Sequence, residues 1–117
     1  MKTYRIINIA KNTPVAERAE IAENAFSRMK GLLGRKLLNK SCALIIKPTS
    51  SIHTFFMKFP IDIAFLDKNN KILKIKHGVM PFRFISCPLG AKITIELPSG
   101  TLKASNTEIG DILAIQS

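Results

Sequence analysis

Apolar and polar residues alternate along this chain in short runs, broken by proline, glycine and asparagine-rich turns. A period of two over four to eight residues predicts half-buried strands, and a period near 3.6 predicts helix. Residues 3–10, TYRIINIA, are rich in β-formers and predict a first strand. Pro14 interrupts the pattern, and residues 16–22 fit either a helix or a short second strand. From Asn24, a residue suited to capping, Phe26, Met29, Leu32 and Leu33 recur at helical spacing. Gly34 is placed to stop that helix, with Lys30, Arg35 and Lys36 near its negative end.

Residues 43–47 predict a short apolar strand ended by Pro48. In 52–59 an extended chain puts His53, Phe55, Met57 and Phe59 on one face and Ile52, Thr54, Phe56 and Lys58 on the other. Aromatics on both faces predict a strand covered on both sides. Pro60 marks a bend. Ile61, Ile63 and Phe65 then alternate with Asp62, Ala64 and Leu66, and DKNNK turns the chain, with Asn69 and Asn70 tolerant of left-handed backbone. Residues 71–76 return as a strand, with Leu73 and Ile75 inward and Lys74 and Lys76 outward. Residues 77–90 carry two prolines and two glycines and read as a long loop. Residues 91–97 predict a strand with Ile93, Ile95 and Leu97 inward and Lys92, Thr94 and Glu96 outward. A short helical piece near 101–105, a turn at 109–111 and a last strand at 112–115 follow. The expected fold class is α+β: a mostly antiparallel, barrel-like β sheet with one main α-helix packed on it, forming a single domain over 1–117.

Composition changes this picture little. An apolar content of 46% suffices for one core. The charge of +10 admits a nucleic-acid partner. Yet lysines outnumber arginines 13 to 5 and are spread along the chain, and isoleucine outnumbers valine 17 to 2. That bias fits compositional drift filling exposed positions with lysine and strand positions with isoleucine. The N-terminal apolar run is broken by Asn8 and Lys11, and no stretch approaches the roughly 20 apolar residues of a membrane span. The expectation is a cytoplasmic protein with no membrane partner. Cys42 and Cys87 lack the spacing of a zinc site and are expected as free thiols.

No motif assigns a reaction. His53 and Met57, four residues apart on a strand, are separated by about 13–14 Å and cannot share a metal without a bend. Neither cysteine sits in a nucleophile signature. KGLLGR (30–35) looks like a helix end, since it does not follow a strand and open a helix as a phosphate-cradling loop must. The aromatics mostly fall in apolar alternation, which does not support stacking platforms for single strands, and Phe82 and Phe84, flanking Arg83 in the loop, are the exception. Asp62 lies on a face expected to be partly covered, so it needs a partner such as Lys58, Arg28 or Arg35. If Asp62 and Glu96 converge, they make an acid/base pair or a hard-cation site.

The stretches RMKGLLGR, IHTFFMKFPIDIAFLD, IELPSG and IGD occur in that order. Together they resemble the prokaryotic domain of unknown function 192 family, also called uncharacterised ancient conserved region proteins, from about Ala22 to the C-terminus. Many relatives carry tryptophan where this chain has Phe56, and some are exported behind a signal segment. The resemblance implies a compact β-rich, barrel-like domain and no established activity. Its pattern falls on Arg28, Gly31, Gly34 and Arg35, on His53, Met57, Lys58 and Asp62, and on Glu96, Gly100, Gly110 and Asp111. The glycines suit special backbone geometry. Fold alone explains the polar set Arg28, Arg35, His53, Lys58, Asp62 and Glu96 least well. The expectation is an uncharacterised binding domain whose candidate site is that cluster, taking a small anionic ligand or an acidic partner segment. The rivals are a hydrolase-like enzyme using Asp62 and Glu96, or His53, and nucleic-acid binding through net charge. No metal or cofactor is expected, and whether the chain is an enzyme is left open.

Overall fold

The computed structural model describes residues 2–22, 41–47, 52–54 and 59–117, with the backbone alone at Ile52 and His53. Nine strands and one short helix occur among them. They are β1 (Tyr4–Asn8), β2 (Thr13–Ala22), β3 (Cys42–Ile46), β4 (Ile52–His53), β5 (Ile61–Leu66), β6 (Ile72–Val79), β7 (Phe84–Ile85), β8 (Ile93–Pro98), α1 (Thr101–Ala104) and β9 (Leu113–Gln116). Seven strands form one sheet in the order β6-β5-β8-β3-β2-β1-β9, and β4 and β7 form a separate ribbon. The large sheet is mixed: β2 and β3 run parallel, and every other pairing in it is antiparallel. It curls into a half-barrel whose ends meet where Lys71 bridges Ile112. The Ile72 amide donates to Asp111 O and the Gly110 amide to Ile72 O at that seam.

The inner face buries Ile6, Val15, Ala19, Ile45, Ala64, Leu66, Ile72, Ile95, Leu97 and Leu113, drawn from all seven strands, with Leu102 of α1. The outer face of the sheet's centre buries Leu44, Ile46, Ile61, Ile63 and Phe65, against which Ile85 of β7, Cys42 and Cys87 pack. Both cysteines are half-buried thiols outside any disulfide. β5 is therefore buried at every position. Each large apolar side chain so buried contributes about 1.5–3 kcal/mol.

Local chemistry accounts for the edges of these elements. Residues 16–22 are strand because they pair with both β1 and β3. Pro14 sits inside β2 without breaking it, since that end pairs with β1 alone, Ile7 opposite Pro14, and β3 joins only at Arg18. The β5–β6 turn forms as its sequence predicts: the Asn69 and Lys71 amides donate to Asp67 Oδ1 at 2.8 and 3.0 Å. Asn70 takes φ 63° there. Asp67 is held below the ordinary carboxylate range chiefly by the Lys71 amide.

Several expectations need correction. Thr94 and Glu96 are buried, because β8 lies between β5 and β3 with both faces covered. A register shift opposite Phe65 and Leu66 puts Ile72, rather than Leu73, in the core. The predicted loop 77–90 holds the end of β6 and all of β7. The helix expected from Asn24 lies outside the described residues, and the one helix described is the four-residue α1, so the architecture is a mixed, mostly-sheet half-barrel. No helix among the described residues is long and apolar enough to cross a membrane.

Candidate ligand cleft at the buried aspartate

Asp62 is fully buried on β5. Its Oδ1 accepts the Gly78 amide at 2.8 Å, and its Oδ2 accepts the amides of Gly100 and Leu102 at 3.0 and 3.1 Å. A carboxylate taken out of water requires such donors. Gly100 precedes α1 and offers no side-chain cap, so Asp62 satisfies the helix's first amides from across the sheet. The backbone there is left-handed: φ is 92° at Gly100 and 56° at Gly78, conformations glycine adopts without strain. A Cβ at Gly78 would also stand 3.4 Å from Ser99 Oγ.

These tied turns wall a cleft of about 570 Å³ lined by Asp62, His77, Gly78, Ser99, Gly100, Lys103 and the segment 106–108. His77, Ser99, Lys103 and Asn106 are exposed. A second groove of about 610 Å³ runs along the other side of α1, between Pro14, Val15 and Ser41 and the segment 98–105.

The far wall of the first cleft is held by a second polar lattice. Asp111 Oδ2 accepts Asn8 Nδ2 at 2.9 Å, Lys11 Nζ at 2.8 Å and the Glu108 amide at 2.9 Å. Lys11 also pairs with Glu108 at 2.8 Å. Asn8 Nδ2 donates to Thr107 Oγ1 at 3.1 Å, which meets Ser105 Oγ at 2.7 Å. Burial pushes the Asp111 carboxyl up, but the bonds from Asn8, Lys11 and the Glu108 amide outweigh it and hold it below the ordinary value. The bonds to Asp111 and then Glu108 hold the Lys11 ammonium above its ordinary value.

The structure divides the predicted cluster. Asp62 faces Leu97 across the β5–β8 ladder, whereas Glu96 faces Ile63, one residue out of step. Neighbours on a strand point to opposite faces. Asp62 therefore shares the inner face with Leu97, and Glu96 shares the outer face with Ile63 and Leu44. The paired-carboxylate site is thereby removed. Arg28, Arg35 and Lys58 lie outside the described residues. His53 lies opposite Phe84 in the β4–β7 ribbon, and its backbone alone is described. Among the described residues no three of His, Cys, Asp and Glu gather as a metal site would require. Sequence reasoning missed Lys103, Asn8 and Lys11, and read His77 only as an exposed residue opening the long loop. Only the position of Lys103 after the PSG turn and of Asp111 in the IGD turn gave a signal.

The model of the DUF192 family, described as "Uncharacterized ACR", matches residues 6–115. The chain belongs to this family. The UPF0127 protein of Thermococcus sibiricus is 36% identical, over 91% of this chain and 71% of the relative. That of Pyrococcus furiosus is 30% identical, over 92% and 95%. That of Pyrococcus abyssi is 35% identical, over 91% and 92%. Two crystal structures share the fold. A Sinorhizobium meliloti protein described as a candidate transcription regulator superposes with TM-score 0.80 at 19% identity, covering 96% of this chain and 91% of that one. A Novosphingobium aromaticivorans protein of unknown function gives 0.79 at 17%, covering 96% and 83%. At these identities the likeness to the DUF192 chain is one of fold alone.

Proposed function

We propose that this DUF192 domain is a binding module that takes a small anionic ligand, or the acidic end of a partner segment, in the cleft beside α1. The observation that carries this reading is the cleft's construction. One buried carboxylate spends its lone pairs on the amides of the two turns that form the walls. The rim carries Lys103, His77, Ser99 and Asn106, together with Glu108, whose carboxylate is paired with Lys11 at 2.8 Å. The Lys103 ammonium, with a hydroxyl, an imidazole and an amide beside it, suits phosphate or carboxylate oxygens. Asp62 is in this reading the organiser of the site and does not touch the ligand, because its oxygens are occupied. The Asp62–Glu96 pair does not support hydrolysis, since Glu96 lies on the other face.

Thermal unfolding with inorganic phosphate, citrate and succinate tests the proposal. The expected result is stabilisation of the wild type by at least one of these, lost in Lys103→Ala and reduced in Ser99→Ala. Stabilisation that is equal in Lys103→Ala, or absent with all three, overturns it.

A further inference from the structure

The segment between β6 and β7 carries an independent feature. Met80, Phe82 and Phe84 are 55%, 72% and 64% exposed on five consecutive residues, with exposed Arg83 between the two rings. Large apolar side chains this open, grouped on one segment, mark a contact surface. The backbone that presents them is fixed. Buried Thr54 donates its hydroxyl to Met80 O at 2.7 Å and accepts the Arg83 amide at 2.9 Å. The Thr54 amide donates to Arg83 O, and the Phe82 amide to Thr54 O. Phe82 is held at φ 66°, a conformation that is costly for a side chain with a Cβ. The fold thus sustains local strain to hold an aromatic ring in solvent.

The charge beside these rings is positive. Arg83 lies between them, and β6, which leads into the segment, carries exposed Lys76. The whole chain carries +10. Phe82 and Phe84 are two residues apart, so their Cα atoms lie within about 7 Å. Neighbouring bases of one strand can reach both rings. Aromatic faces set beside a cationic backbone track are the chemistry of single-strand recognition, which any base satisfies because every base has a π-face. We propose that the Met80–Phe84 tip is a contact surface for single-stranded nucleic acid, with bases stacking on Phe82 and Phe84 and phosphates meeting Arg83 and Lys76. This site is separate from the cleft beside α1 and does not rest on it.

The test is binding of a short labelled oligothymidylate at low and moderate salt, by anisotropy, to the wild type and to exposed-site variants that keep the wild-type unfolding midpoint. The wild type binds, more tightly than it binds duplex DNA. Phe82→Ala/Phe84→Ala weakens binding about tenfold or more at every salt concentration. Arg83→Ala lowers the slope of log affinity against log salt by about 0.7. Lys68→Ala, which removes one charge in the β5–β6 turn, changes affinity by less than about twofold. Three results overturn the proposal: no binding by the wild type, equal binding by the double phenylalanine variant, or phosphatidylserine-vesicle binding that the double variant loses while its oligonucleotide binding is unchanged. The last would make the tip a lipid anchor.

Discussion

Asp62 meets three amides that lie 16, 38 and 40 residues away in sequence. No local pattern reveals such a role. Alternation shows that Asp62 shares a face with Ala64 and Leu66, and hence that it needs partners, but not that those partners are backbone. The Asp67 turn was legible for the opposite reason: its donors are two and four residues away. Replacing Asp62 leaves three amides without an acceptor, and buried donors stripped of a charged partner are costly. Asp62→Ala is expected to lose about 3 kcal/mol or more in urea unfolding. Asp62→Asn should lose somewhat less, because one carbonyl oxygen remains while its NH2 group is set against an amide donor. A loss below about 1 kcal/mol for Asp62→Ala would show that the three bonds do not hold the turns. Asp111 supplies a pH signature. Its carboxyl is held below its unfolded value, so its contribution is complete above that value, near pH 4, and fades as pH falls through the lower folded value. Lys11 is raised, so its contribution is present below about pH 10 and fades only as pH rises through its folded value. The pair is therefore intact at neutral pH. Asp111→Asn should unfold more easily than the wild type at pH 7, with the gap narrowing toward pH 3. A gap that is constant across that range would mean the carboxylate charge is not what matters.

Most of the longer strands were legible as elements, β7 was hidden in a predicted loop, and the surroundings of the strands were not legible. Ile93, Ile95 and Leu97 alternate with Thr94 and Glu96, which reads as a strand with one wet face. β8 is central, and its outer face is covered as well. Polarity in the sequence reported chemistry there, not exposure. The same limit hid the separation of Asp62 from Glu96. Each was correctly assigned to a strand, but the faces were fixed by a register between strands 30 residues apart, which composition cannot supply. The β4–β7 ribbon is the element most open to experiment. It is two residues wide on each side, and Thr54 adds five hydrogen bonds to it. An isolated two-stranded ribbon is marginal in water, so those bonds decide whether residues 80–84 hold one conformation. Thr54→Val keeps the side chain's volume and removes its hydroxyl. It should cost about 1–2 kcal/mol and expose the segment around Phe82 to limited proteolysis well before global unfolding. Cleavage elsewhere first, at unchanged rates near Phe82, would show that the ribbon does not depend on Thr54.

At the scale of the whole molecule, one quantity read from the sequence, the net charge, acts on everything the structure added. Among the described residues the ion pairs are Arg5 with Glu17 and Lys11 with Glu108 and Asp111. The first is half-exposed and adds little. Over the whole chain there are 18 cations against 8 acids, so the cations cannot be matched one to one. Closing a +10 chain into a half-barrel brings like charges together, and self-repulsion disfavours the compact state. β6 concentrates the effect, since Lys74 and Lys76 lie on it at the edge of the sheet, where they also discourage edge-to-edge pairing. Salt screens charges separated by more than about 10 Å at 0.1 M, so it relieves the diffuse repulsion more than it weakens the contact pairs. Raising sodium chloride from about 0.02 to 0.5 M should therefore increase the melting temperature, by about 4–8 °C if about 1 kcal/mol of repulsion is removed. Sodium sulfate cannot replace the chloride salt in this test, because it favours burial by exclusion and its anion can enter the cleft beside α1. The reverse result, a melting temperature that falls with chloride, would mean that the few acids hold the fold by attraction, and that the excess of lysine is not felt by the folded state at all.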